Sequence, residues 1–240
     1  MPYLEGAPFT LMANELNEPW LEFIECPTAV VVDPFAHSGW FSLEISVKDV
    51  DTLRTTLDES AFRVIGEPAN LEVSEHIRAM QVIGPAGEVL YLTEVKAPVP
   101  PFDLPFARCT VDRLFIPVML THDRDASAAV YDQLNGQPGM KFDTKITVIN
   151  RARGFEISQQ HPVCAQQLAS SNLIEIDQVD GLNARAPING LMPAGIIAIT
   201  FEVQALPADL PSRIVADGPF AGRKSASLVG QAGERIELIE

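Results

Sequence analysis

Residues 41–95 open with FSLEISV (41–47), continue through KDVDTLRTTL (48–57) and close with MQVIGPAGEVLYLTEV (80–95), and the order of elements they spell decides the fold. In FSLEISV, Phe41, Leu43, Ile45 and Val47 fall on one face of a strand and Ser42, Glu44 and Ser46 on the other. A short helix follows. Asp49 or Asp51 can cap it, and Val50, Leu53 and Leu57 lie along one side. Further strands are expected around 62–65, 77–83 and 89–94, with GPAGE (84–88) as the last hairpin turn. The stretch therefore reads β-α-β-β-β.

The same unit recurs. VGQAGERIELIE (229–240) matches VIGPAGEVLYLTE (82–94) at the turn and in its alternation. Between them a third module starts with LFIPVMLT (114–121); Asp123 or Asp125 can cap the helix DASAAVYDQL (125–134), which NGQPG ends. Strands at 145–149, 155–157 and 173–177 complete it. The fourth module starts at IIAITFEV (196–203), and its helix is poorly marked, since ALPADLPSRIVADG holds two prolines. At the other end, FTLMANELNEPWLEFIE (9–25) reads as a hairpin that lays over residues 80–94 with Glu22 at the position of Tyr91. That is the back half of a module. Its missing opening strand and helix leave a place in a sheet that a partner chain could fill, so a homodimer is expected.

Composition excludes several classes. With 47% apolar residues in 240 the chain can bury a sizeable core. A net charge of −15 on 17 Lys plus Arg argues against nucleic acid or an anionic membrane as partner. No apolar stretch is long enough to span a bilayer, and MPYLEGAPF lacks the pattern of a signal peptide, so a cytoplasmic protein is expected. Cys26, Cys109 and Cys164 form no CxxC spacing and read as free thiols. His37, His76, His122 and His161 make no cluster and are expected in solvent-facing or capping roles. The proline-rich run KAPVPPFDLPFARC marks a linker at 98–108, between an N-terminal domain (1–97) and a C-terminal domain (109–240).

Successive β-α-β-β-β modules, the helix start DRDASAAVY (123–131) and the closing GERIELIE (233–240) resemble the vicinal oxygen chelate superfamily, which includes glyoxalase I, bleomycin-resistance proteins and extradiol dioxygenases. The resemblance implies an α+β fold of modules paired into two glyoxalase-like domains, the first module incomplete. It also implies that ligands to a metal, where one is held, come from first and last strands of the modules. Those positions here are Glu22, Ser42 and Tyr91 in the first domain, and Ile116, Glu175, Ala198 and Glu237 in the second.

Ile116 and Ala198 cannot ligate an ion, and two glutamates alone suit zinc or non-haem iron poorly. The expectation is therefore no metal cofactor, with a pocket for a small, partly apolar organic molecule. In the second domain Ile116, Val118, Ala198 and Thr200 would line it; in the first, Glu22, Ser42, Glu44 and Tyr91 would. Glu175 and Glu237 are the candidate acid/base residues: facing one cavity, they would repel, and one could hold its proton. They could instead pair with Arg235, Arg113 or water. The alternative is a divalent-metal-dependent lyase, isomerase or extradiol-type dioxygenase, with Glu175 and Glu237 as ligands.

Overall fold

The computed structural model of the chain describes residues 7–72, 74–184 and 193–240. Two strands, β1 (Phe9–Ala13) and β2 (Pro19–Ile24), form the N-terminal hairpin. The complete module comprises β3 (Gly39–Val47), α1 (Val50–Thr56), β4 (Arg63–Leu71), β5 (Ser74–Ile83) and β6 (Val89–Val95). The third module runs β7 (Val111–Thr121), α2 (Arg124–Asn135), β8 (Met140–Lys145), α3 (Thr147–Arg153), β9 (Gln160–Gln167) and β10 (Leu173–Gln178). The last comprises β11 (Ile199–Glu202), β12 (Ser212–Ile214), β13 (Lys224–Val229) and β14 (Arg235–Ile239), with no helix between β11 and β12. Among the described residues no helix is long and apolar enough to cross a membrane.

The second module pairs with the third, where the third was expected to pair with the fourth. One eight-stranded sheet runs β4-β5-β6-β3-β7-β10-β9-β8, and a separate four-stranded sheet runs β11-β14-β13-β12. The second and third modules thus share a sheet through antiparallel β3 and β7, with Glu44 opposite Ile116 and Ser42 opposite Val118. The proline-rich segment at 98–108, expected between two domains, joins strands of this single sheet. Each half repeats one order, in which the first strand of the module lies innermost and runs parallel to the last. The four-stranded sheet repeats it again, with β11 parallel to β14.

Side-chain alternation sorts the eight-stranded sheet into two faces. Leu43 and Ile45 on β3, Leu90 and Leu92 on β6, and Ile174 and Ile176 on β10 pack with Val50 of α1 and with Ala128 and Tyr131 of α2. Val89 and Tyr91, Ile116 and Val118, and Leu173 gather on the opposite face, together with Val148 and Ile149 of α3. Phe41 departs from the simple alternation. A bulge between Trp40 and Ser42 sends Trp40 to the helix side and Phe41 to the other face, against Phe35 at 5.0 Å between ring centroids.

The duplicated turns are physically the same device. In GPAGE, Gly84 N–H donates to Glu88 O and the Glu88 carboxylate accepts from Ala86 N; in GQAGE, Gly230 N–H donates to Glu234 O and Glu234 accepts from Ala232 N. Each carboxylate folds back under the first glycine, where a Cβ would collide with it. Gly87 and Gly233 take the positive φ the turn requires, 83° and 81°. Glu234 also accepts from the buried Tyr131 hydroxyl at 3.0 Å, which ties this turn to α2. Gly230→Ala is accordingly expected to displace the Glu234 carboxylate and cost about 1–3 kcal/mol in urea unfolding. Gly84→Ala should cost less, because no tyrosine hydroxyl is left unpaired there.

Two expected elements of the third module change. Residues 147–153 form α3 where a strand at 145–149 was expected, burying Val148 and Ile149 and ending at Gly154. The expected strand at 155–157 is replaced by β9 at 160–167, which carries Pro162 inside the sheet. His161, expected at the surface, is buried on β9, 2.6 Å from Asn150 Oδ1. Burial lowers its pKa.

Candidate functional site

The face of the eight-stranded sheet opposite α1 and α2 carries an unusual set of polar groups. Regular parallel pairing of β3 with β6 places Ser42, Glu44 and Ser46 beside Val89, Tyr91 and Thr93. Across β7, which contributes Ile116 and Val118, β10 brings Glu175 and Asp177 onto the same face. The sheet is curled: Lys145 at the end of β8 forms an ion pair with Glu72 at the β4 turn, joining its two outer edges. The face between them is concave, and Phe41, Phe115 and Phe142 belong to its apolar lining.

The carboxyls interact with one another. Burial pushes the Glu44 carboxyl up to about 8, the nearby Glu175 charge adds to this, and a 2.9 Å hydrogen bond from Thr93 Oγ1 opposes it. Burial likewise pushes Glu175 up to about 7, against a hydrogen bond shared with Asp177. Asp177 rises well above the usual carboxylate range, through burial first and then through Glu175 and Glu44. The Tyr91 phenol is raised for the same reasons, burial followed by the three carboxylate charges. Asp177 is 1% exposed and its Oδ1 makes no hydrogen bond among the described residues; the same holds for the hydroxyls of Ser42 and Ser46, both 0% exposed. Glu44, Tyr91 and Glu175 are half-buried, as groups facing an interior space are.

The expected residues therefore divide between two places. Ser42, Glu44, Tyr91, Ile116, Val118 and Glu175 come together on the concave face. Glu22, Thr200 and Glu237 meet elsewhere, where β2 faces the four-stranded sheet: Thr200 Oγ1 donates to Glu237 at 3.3 Å, and Arg213 lies 3.6 Å from its other oxygen. Glu22 there is raised by partial burial and by the charges of Glu237 and Asp217. Ala198 sits half-buried just before β11. The expectation that Glu175 and Glu237 face one cavity is thus corrected. They belong to different sheets, because the third module pairs with the second and not with the fourth. Arg213, rather than Arg235 or Arg113, is the cation beside Glu237.

Asp177 and Thr93 were not anticipated. The signal for Asp177 was present: in LIEIDQ, two acids two apart on a strand point the same way. A separate groove of about 280 Å³ between α2 and the chain after β11, lined by Gln133, Leu134, Val203, Ala205, Leu206 and Pro207, holds no titratable group.

Glyoxalase I from Zea mays superposes on the chain with a TM-score of 0.53 at 14% identity, covering 85% of this chain and 68% of that one. A putative dioxygenase from Bacillus subtilis subsp. subtilis str. 168 gives 0.55 at 10% identity, covering 98% of this chain and 72% of that one. No protein-family model matches the chain, and neither does any curated protein. The likeness is one of fold: the chain has the vicinal oxygen chelate fold, α+β with glyoxalase-like paired modules.

That fold implies a metal in some of its members. The concave face offers carboxyls, a phenol and hydroxyls, without the imidazole or thiolate donors that favour transition metals. Among the described residues no three His, Cys, Asp or Glu side chains are grouped so as to hold an ion. The residues present do not fit such a group.

Proposed function

We propose that this protein binds a small, partly apolar organic molecule against the concave face of the eight-stranded sheet, and that a carboxyl of Glu44, Glu175 or Asp177 exchanges a proton with it. The observation that carries the reading is the carboxyl cluster itself. Burial among aromatic and aliphatic side chains pushes all three acids far above the range in which exposed acids ionise. A Glu175 carboxyl near 7 is poised to give a proton or take one at little cost, which is what general acid/base chemistry needs. Ile116 and Val118, directly between the acids, supply apolar contact for the body of the ligand.

The chemistry assigned to these side chains is limited to binding, orienting and proton transfer. Tyr91 stays protonated and can donate a hydrogen bond to a ligand oxygen. Glu44, fixed on one oxygen by Thr93, leaves the other to donate to a ligand while it holds its proton, or to accept once it has lost it.

Methyl-labelled protein titrated with small cyclic compounds in an NMR screen tests the site. Binders are expected to shift the Ile116, Val118 and Val89 methyls, and Glu175→Gln should weaken that binding or abolish any turnover. Shifts confined to Leu134 and Val203, in the groove beside α2, would place the ligand elsewhere.

A further inference from the structure

We infer that the ligand carries a protonated nitrogen, an organic ammonium on an apolar body, and that the Glu44–Glu175–Asp177 cluster recognises its positive charge. The inference rests on the reading of the concave face as a ligand site and names the class of molecule it takes.

The first observation is one of charge without a partner. Elsewhere in this chain acids are answered, Asp112 by Arg108 and Asp51 by Arg78, and the buried Glu88 and Glu234 by backbone N–H groups and, at Glu234, the Tyr131 hydroxyl. On the concave face, among the described residues, none of the charges acting on Glu44, Glu175, Asp177 or Tyr91 is positive. The cations on β7 and α3 are turned elsewhere, Arg113 to Asn172 and the Ser170 carbonyl and Arg153 to the Asp180 and Gly181 carbonyls; β7 otherwise contributes Ile116 and Val118, and β9 sets Val163 and Ala165 opposite Asp177 and Glu175. Its one histidine, His161, is turned to Asn150.

The second observation is independent of charge. Asp177 Oδ1 and the Ser42 and Ser46 hydroxyls are buried acceptors left without a hydrogen bond in the protein. Buried acceptors normally find donors. A neutral apolar ligand would supply none, and an anion would add a further negative charge to the cluster. An ammonium is a compact group of donors that answers the Asp177 acceptor and the charge together.

Such a ligand makes binding and proton loss one event. As the cation arrives, the O–H bond of one carboxylic acid in the cluster breaks and its proton leaves to the buffer, giving a carboxylate paired with the ammonium. No covalent bond to the ligand forms. Affinity then rises with pH through neutrality, until the amine itself begins to deprotonate.

Calorimetry of the full chain with benzylammonium, benzyl alcohol and benzoate, repeated in buffers of different ionisation enthalpy, tests this. Benzylammonium is expected to bind about tenfold more tightly than the alcohol, or better, with benzoate weakest and with a heat that varies by buffer because protons are released. Asp177→Asn should bring the ammonium down to the level of the alcohol while the alcohol still binds. If that variant does not fold, Glu175→Gln is read in its place. Alcohol binding as tight as ammonium binding, with no proton release, would overturn the inference and leave the site reading standing. If none of the three compounds shifts the Ile116 or Val118 methyls, both fall.

Discussion

Trp40→Ala is expected to lower stability by about 3–5 kcal/mol, a large part of the roughly 5–15 kcal/mol that holds a domain together. The reason is position as much as size. Trp40 is 2% exposed and lies on the bulge of β3, with its ring 6.3 Å from Tyr131 of α2 and 6.3 Å from Phe201 of β11. Its indole Nε1 donates to the Arg235 carbonyl at 2.7 Å. One side chain therefore joins the eight-stranded sheet, its helix and the four-stranded sheet. Alanine leaves a cavity at that junction and an unpaired carbonyl on β14. At about 2–4 °C per kcal/mol for a chain of this size, the melting temperature should fall by about 10 °C. Trp40→Phe keeps most of the volume and loses the hydrogen bond, so its cost should be nearer 1–3 kcal/mol. A Trp40→Ala protein with the melting temperature of wild type would mean that the two sheets do not meet through this residue.

The second large effect is a stability that falls as pH rises, and a Glu44→Gln variant in which much of that fall is gone. The Glu44 carboxyl is raised from its ordinary 4.5 to about 8 in the folded protein. Below 4.5 both states hold the proton. Between 4.5 and 8 the unfolded chain gives it up and the folded chain keeps it, so folding is progressively disfavoured as pH rises; above 8 the loss is complete. The slope is at most about 1.4 kcal/mol per pH unit for one group. Glu175 and Asp177, raised for the same cause, push in the same direction. His161, lowered by burial, pushes the other way as pH rises toward its ordinary 6.5. Comparing variant with wild type separates Glu44 from it. Glu44→Gln should match wild type near pH 5 and exceed it by roughly 2 kcal/mol or more near pH 9, because the amide has no charge to desolvate. Urea unfolding at the two pH values reads this directly. Equal pH dependence in both proteins would mean that Glu44 ionises freely and is not part of a buried cluster.

Much of the local structure was legible in the chain. GPAGE and GQAGE declared two copies of one turn, and Ser42, Glu44 and Ser46 declared the polar face of β3. Asp49 and Asp123 cap α1 and α2 through their side chains, as their positions before the helices suggest. What sequence order could not convey was which module lies beside which. Pairing the third module with the fourth as one domain, after the proline-rich run, put Glu175 with Glu237. The antiparallel contact of β3 with β7 puts it with Glu44 instead. β9 was hidden because Pro162, which pairs with Asp143 of β8, argues against an inner strand. α3 was hidden because its buried Val148 and Ile149 are β-branched, and burial against the concave face outweighs that preference. Asp177 was within reach of alternation alone, two residues after Glu175 on the same strand face.

Glu44 and Glu175, from two different modules, share one apolar interior that pushes their carboxyls up to about 8 and about 7. A carbon-13 NMR titration of the glutamate side-chain carboxyls in ligand-free protein, assigned with Glu44→Gln and Glu175→Gln, tests it most directly. Two resonances should titrate near pH 7 to 8 and shift one another's midpoints when either residue is replaced. Midpoints below about 5 for both, each unmoved by removal of the other, would contradict it.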